Sequence, residues 1–155
     1  MVLVVFNKLS HYCSNYPILT TTNLKNKTFY GLCLNTRLYP CLTEFYSMFY
    51  KKGVKIVPLN LYELINYEFL AYWIMGDGTK AGNGLYLQTQ SFEIKDCVFI
   101  ISVLTYKFDL ICYIHMQRNQ PTIYISAKSM KKIKNFLIPF FIPSIALLVQ
   151  VILIK

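Results

Sequence analysis

At 155 residues the chain has room for one domain or two very small ones. Its 16 Lys and Arg against 7 acids give a formal charge of +9, which favours a polyanionic partner, either nucleic acid or an anionic membrane face. With 55% hydrophobic residues, 13 Tyr and 11 Phe, it is excluded from the disordered class. Cys13, Cys33, Cys41, Cys97 and Cys112 contain no pair at zinc-finger spacing and read as reduced thiols of an intracellular protein. His11 and His115 stand in no motif that would activate a cysteine. The apolar run 1–6 has neither a basic start nor a small-residue cleavage site, so it is read as neither signal nor transit peptide.

Taken in order, residues 3–9 can form a strand, and 11–19 a strand or ordered loop broken at Pro17. The polar stretch 20–28 reads as a basic, exposed hairpin turn. Residues 29–36 alternate, with Tyr30, Leu32 and Leu34 on one side, and form a strand. A two-stranded ribbon fits the major groove of DNA, which makes Lys25, Lys27, Asn35 and Arg37 candidate contacts. Each of them is equally well an ordinary solvated residue of a hairpin.

Leu42, Phe45, Tyr46 and Phe49 recur at helical spacing, so 40–50 is a helix closed by Lys51, Lys52 and Gly53. A short extended link leads to a second helix over 61–75, with Asn60 as N-cap and Glu63 completing a capping box. Its last part, 70–75, is apolar on every side and is expected to be buried all round. It stops at Gly76-Asp77-Gly78, where Gly78 can take a left-handed conformation. Asp77 then sits at the negative end of the helix dipole, and a bound cation, a basic side chain or a turn hydrogen bond would compensate it. Asp-Gly is also an ordinary turn pair.

Residues 79–83 read as a turn. Along 85–90, Tyr86, Gln88 and Gln90 emerge on one face, and glutamine can bond adenine through two hydrogen bonds. The bland reading is the polar outer face of an ordinary sheet. A helix over 92–108 with Ser91 as N-cap follows, then strands over 110–116 and 121–125 around a polar turn, then a basic helix from 126 to 137. Lys80, Arg118 and Lys128 are candidate phosphate contacts. Residues 136–154 are almost unbroken apolar sequence that just reaches a transmembrane length, but Pro139 and Pro143 argue against a simple span.

Leu70-Ala71-Tyr72-Trp73-Ile74-Met75-Gly76-Asp77-Gly78 resembles the motif of the LAGLIDADG homing endonucleases, in particular the organellar, group I intron-encoded branch. His11-Tyr12-Cys13, Gly53 through Pro58, Leu87 through Phe92, Ile123 through Ser126 and Lys128-Ser129-Met130 resemble the same branch in the same order. The resemblance implies an α+β fold in which a curved antiparallel DNA-binding sheet is backed by helices. It implies residues 1–58 as the back portion of a first such domain, 59–146 as a second domain, and 147–155 as an atypical apolar tail.

The implied activity is a site-specific, metal-dependent double-strand cut in intronless DNA, with a descendant that binds group I intron RNA and assists splicing as the alternative. Asp77 takes the catalytic and metal-binding position, with Gly76 beside it and Mg²⁺ as the expected ion. Tyr72 and Gly76 take positions that face a partner helix. One acid does not serve two scissile phosphates, so a second motif must come from a homodimer partner or an upstream segment, and none stands ahead of residue 3. Leu147-Leu148-Val149 stands where relatives carry Tyr-Lys-Leu, so Leu148 replaces a lysine that assists catalysis. Double-stranded DNA is the expected partner rather than a membrane. The abundance of Ile, Tyr, Asn and Lys suits an AT-rich organellar genome, and a mitochondrion is the expected location, with a chloroplast second.

Overall fold

The structure is a computed structural model that describes residues 2–142. The chain divides into two compact units, Met1–Tyr46 and Ser47–Lys155.

The first unit opens with helix α1, Val2–Leu9, where the sequence predicts a strand. Its β-branched residues suit a sheet only where a neighbouring strand offers them a surface. Among the described residues no strand pairs with residues 2–9, and hydrogen bonding within the helix satisfies the backbone instead. After a turn of 3₁₀ helix at Ser10–Tyr12, strand β1, Ile18–Leu24, pairs antiparallel with β2, Lys27–Cys33. Lys25 and Asn26 both have positive φ, 49° and 61°, so the connection is a two-residue turn whose twist matches its strands. The turn is therefore much shorter than the predicted 20–28, because the threonine run at 20–22 is β-branched and extends the strand. Nearly every residue of the ribbon is exposed on both faces, including Leu19, Phe29 and Tyr30.

Helix α2 runs over Pro40–Phe49. Lys51 and Lys52 leave it rather than close it. Strands β3, Tyr50–Lys51, and β4, Val54–Lys55, form a small hairpin around Lys52 and Gly53, at φ 51° and 77°.

In the second unit the predicted helix over 61–75 is two helices, α3 at Leu61–Leu64 and α4 at Tyr67–Asp77. Ile65 is extended, with ψ 131°, and is fully buried, so it spends its backbone on reaching the core. Asn66 then restarts the helix by accepting the Phe69 N–H at 2.8 Å, whereas Asn60 makes no side-chain cap. Asn66→Ala is expected to cost about 1 kcal/mol, read as a lower urea midpoint at unchanged m-value, with Asn60→Ala near neutral.

Strand β5, Gly78–Ala81, follows α4 directly where the sequence predicts a turn, and it pairs with β6, Gly84–Leu87, around Gly82-Asn83. Gly78 is extended, at φ −81° and ψ 136°, not left-handed. Helix α5, Ile94–Phe108, is capped by Glu93 without a side-chain bond, so Ser91 is not its N-cap. Strands β7, Cys112–Gln117, and β8, Gln120–Ile125, meet at a tight turn with Arg118 and Asn119 at φ 51° and 62°. Helix α6, Ala127–Leu137, starts at Ser126, which accepts the Ser129 N–H at 3.3 Å.

The sheet order is β5-β6-β8-β7, antiparallel throughout. One face carries Leu85, Leu87, Ile123 and Ile125, all at 0% exposure, against α5 and α6. Ile100, Leu104, Met130 and Ile133 close the core from the helix side. Each such side chain contributes about 1.5–3 kcal/mol of burial. Among the described residues of this unit no helix packs on the opposite face, which carries Tyr86, Tyr113, His115 and Tyr124.

Candidate functional site

Helix α4 is not buried all round. Leu70, Ala71 and Ile74 are buried, whereas Tyr72, Trp73 and Met75 are half-buried and Gly76 and Asp77 are exposed. Tyr72 and Gly76 lie four residues apart and so share a side of the helix. A Cβ on Gly76 would meet nothing within 4 Å. An open groove of about 600 Å³ runs alongside, with Phe69, Tyr72, Trp73 and Asp77 on one wall and Lys55 and Phe92 among the others. The Lys55 ammonium sits 4.9 Å above the Phe92 ring and places a cation in the groove.

Two backbone contacts hold Asp77 in place. Gly78 lies so close to the last helical turn that a Cβ there would come within 2.3 Å of the Ile74 carbonyl oxygen. The Gln88 N–H donates to the Asp77 carbonyl at 3.0 Å, tying the helix end to the segment that follows β6. The carboxylate is thus presented to solvent from a fixed backbone. A carboxylate and helix-end carbonyls are hard oxygen donors of the kind Mg²⁺ takes. Among the described residues no cluster of three or more His, Cys, Asp or Glu could hold a metal. The donor set around Asp77 fits one side of such a site and requires a second acid from outside it.

The register places Thr79, Tyr86 and Tyr124 on the helix-free face, together with Tyr113 and His115. Tyr86 Oη lies 2.9 Å from His115 Nδ1, and the His115 and Tyr124 rings stack at 5.1 Å with planes 6° apart. Tyr86 lies in β6 on this face, whereas Gln88 and Gln90 follow the end of the strand. Gln88 Nε2 donates to Thr79 Oγ1 at 3.0 Å, and Gln90 Nε2 donates to Gln88 Oε1. Lys80 pairs with Leu85, so it belongs to the other face. Arg118 caps the β7–β8 turn, and Lys128 is exposed in the first turn of α6. In the first unit, Lys25 forms the ribbon's turn, Lys27 lies beside it, and Asn35 and Arg37 follow β2. Sequence reasoning does not pick out the aromatic group of Tyr86, Tyr113, His115 and Tyr124 as a candidate site. The alternation of Tyr113 and His115 with Cys112, Ile114 and Met116 is the signal that could have found it.

Beneath this group the Thr122 hydroxyl is fully buried with no hydrogen-bond partner among the described residues. An orphaned hydroxyl costs about 1–3 kcal/mol, so Thr122→Val is expected to raise the urea midpoint. Burial pushes the Cys112 thiol up to about 12, which keeps it protonated and unreactive at neutral pH. The 147–155 tail and Leu148 lie outside the described residues. No described helix is long and apolar enough to cross a membrane.

The family model described as LAGLIDADG DNA endonuclease family matches residues 2–133. The chain belongs to the LAGLIDADG DNA endonuclease family. It is 31% identical to the intron-encoded endonuclease ai4 of Dictyostelium discoideum, over 93% of this chain and 95% of that protein. It is 31% identical to the cytochrome b mRNA maturase bI2 of Saccharomyces cerevisiae, over 86% of this chain but only 34% of the maturase. Among solved structures it superposes on the homing endonuclease I-WcaI bound to its DNA recognition sequence, with a TM-score of 0.89 and 25% identity, covering 99% of this chain and 70% of that one. The LAGLIDADG α+β fold is therefore the fold of this chain, and α4 is its motif helix.

Proposed function

We propose that this LAGLIDADG chain supplies one acid and one groove-reading sheet to a homing endonuclease that cuts both strands of an intronless DNA site. The observation that carries this reading is the solvent-facing Asp77 at the end of a motif helix whose flank is an open groove. A second motif helix laid along Tyr72 and Gly76 would bring a second carboxylate beside the first. Asp77 and the Gly76 carbonyl would then hold a divalent ion, Mg²⁺ in this proposal, which when bound activates water and stabilises charge on the phosphate. Residues 1–58 and 59–146 are proposed as the back of one such domain and the whole of the next.

Tyr86, Gln88 and Gln90 would face base edges from the sheet of the second domain. Lys25, Lys27, Asn35 and Arg37 would meet DNA from the ribbon of the first, and Arg118 and Lys128 would meet phosphate. Lys80, on the opposite face, would reach phosphate only around the sheet edge. The second motif is proposed to come from another copy of this chain or from a preceding segment. The intron-encoded relatives and the residue bias of an AT-rich genome support a mitochondrial origin.

The maturase likeness favours one further reading, in which the same basic surfaces hold intron RNA without cutting. The test is the full chain with duplex DNA carrying the intronless junction, with the same duplex scrambled, and with the intron transcript, each with and without Mg²⁺. Mg²⁺-dependent double-strand cuts at the junction support the nuclease. Tighter binding of the transcript without cuts supports the maturase. The lone Trp73 lines the groove, so a blue shift of its fluorescence with rising protein concentration would report docking of a second copy.

A further inference from the structure

We infer that the half-site read by the helix-free face of the second unit is rich in A·T pairs. The inference rests on the proposed DNA reading and adds which bases that face can hold. The strand positions of this face carry neither lysine nor arginine among the described residues, although the chain has a formal charge of +9. Lys80 lies on the opposite face, and Arg118 stands at the tip of a turn rather than on the sheet.

Apart from His115, the side chains of this face are amides, hydroxyls and apolar groups. Gln117 and Gln120 pair across β7 and β8, and Gln88 and Gln90, just beyond the end of β6, are hydrogen-bonded to Thr79 of this face, Gln88 directly and Gln90 through Gln88. The Thr79 methyl, Ala81 and the rings of Tyr86 and Tyr124 supply the apolar surface. Guanine is read chiefly by arginine or lysine at O6 and N7. Adenine is read by glutamine or asparagine at N6 and N7, and thymine by apolar contact with its methyl group. A face with four glutamines and no guanidinium or ammonium therefore discriminates in favour of A·T.

The amides are also held in place before any base arrives. Thr79 Oγ1 takes the Gln88 amide hydrogen at 3.0 Å, and Gln88 Oε1 takes that of Gln90. Held amides lose less rotamer freedom on binding and tolerate a wrong base less well. Because these contacts carry no charge, base preference should change little with salt, while overall affinity falls as salt rises.

The experiment is selection of duplexes from a randomised pool by the full chain in Mg²⁺-free buffer at two salt concentrations. It is followed by the same selection with Gln88→Arg and, as a more peripheral change, Gln117→Arg. The expected result is an enriched site with a continuous A·T run, in which each variant moves one position from A towards G by about tenfold. The mapped position ties the run to this face rather than to the ribbon of the first unit. An enriched site in which the positions shifted by these variants are G·C, or carry no preference, overturns the inference and leaves the DNA reading standing. Failure to enrich any duplex at the lower salt concentration overturns both.

Discussion

Asp77→Asn is expected to lower Mg²⁺-dependent cleavage by about a thousandfold or more, while duplex binding and the urea midpoint stay close to wild type. A metal that activates water and neutralises phosphoryl charge lowers a barrier by several kcal/mol, and each 1.36 kcal/mol is tenfold in rate. Asparagine keeps the shape of the side chain and one neutral oxygen, but it loses the charge that holds a hard cation. The fold should not notice the change. The side chain is exposed, and the bond from the Gln88 N–H ends on the Asp77 backbone carbonyl, which asparagine retains. The measurement is the rate of double-strand cutting, with affinity measured separately without metal. Cleavage near the wild-type rate in the variant would remove Asp77 from the chemistry and with it the proposed half-site.

Gly78→Ala and Gly76→Ala, two residues apart, are expected to act in opposite directions. A Cβ on Gly78 would stand 2.3 Å from the Ile74 carbonyl oxygen and 3.1 Å from its carbonyl carbon, and neither is a flexible tip that can swing away. Either the helix end or the start of β5 must move, at a cost of about 3 kcal/mol. The cause is contact and not backbone strain, since φ −81° is open to any residue. A Cβ on Gly76 meets nothing, and removing a glycine from a helix stabilises it by about 1 kcal/mol. Gly76→Ala should therefore raise the urea midpoint of the chain. It should nonetheless reduce cleavage, because under the proposal that side of α4 receives the second motif helix at close range. A Gly76→Ala variant that is stabilised and cuts normally would mean that no helix packs there.

Two kinds of residue pattern are legible in the amino-acid order alone. Helix α5, helix α6 and the β7–β8 hairpin follow from local periodicity and turn chemistry, and local patterns survive folding when burial agrees with them. The motif, together with the other segments that resemble the family in the same order, points to the family. Elsewhere a distant demand contradicts the local signal. Residues 2–9 carry strand-forming side chains, but among the described residues no strand pairs with them. The apolar rhythm runs unbroken through Ile65 and Asn66, yet the core takes Ile65 in extended form and Asn66 begins a new helix.

The family, the position of the acid and the residues that alternate along each strand are properties of the amino-acid order. Which of those residues meet is settled only when the chain packs. Because β8 inserts between β6 and β7, Tyr86, Tyr124 and His115 converge from three strands. Because β5 begins immediately after the acid, in register with β6, Lys80 turns to the opposite face and Thr79 turns towards Gln88. Strand order and register are set by non-local pairing, and a shift of one residue exchanges the two faces of a strand, so neither can be read from neighbours in the chain.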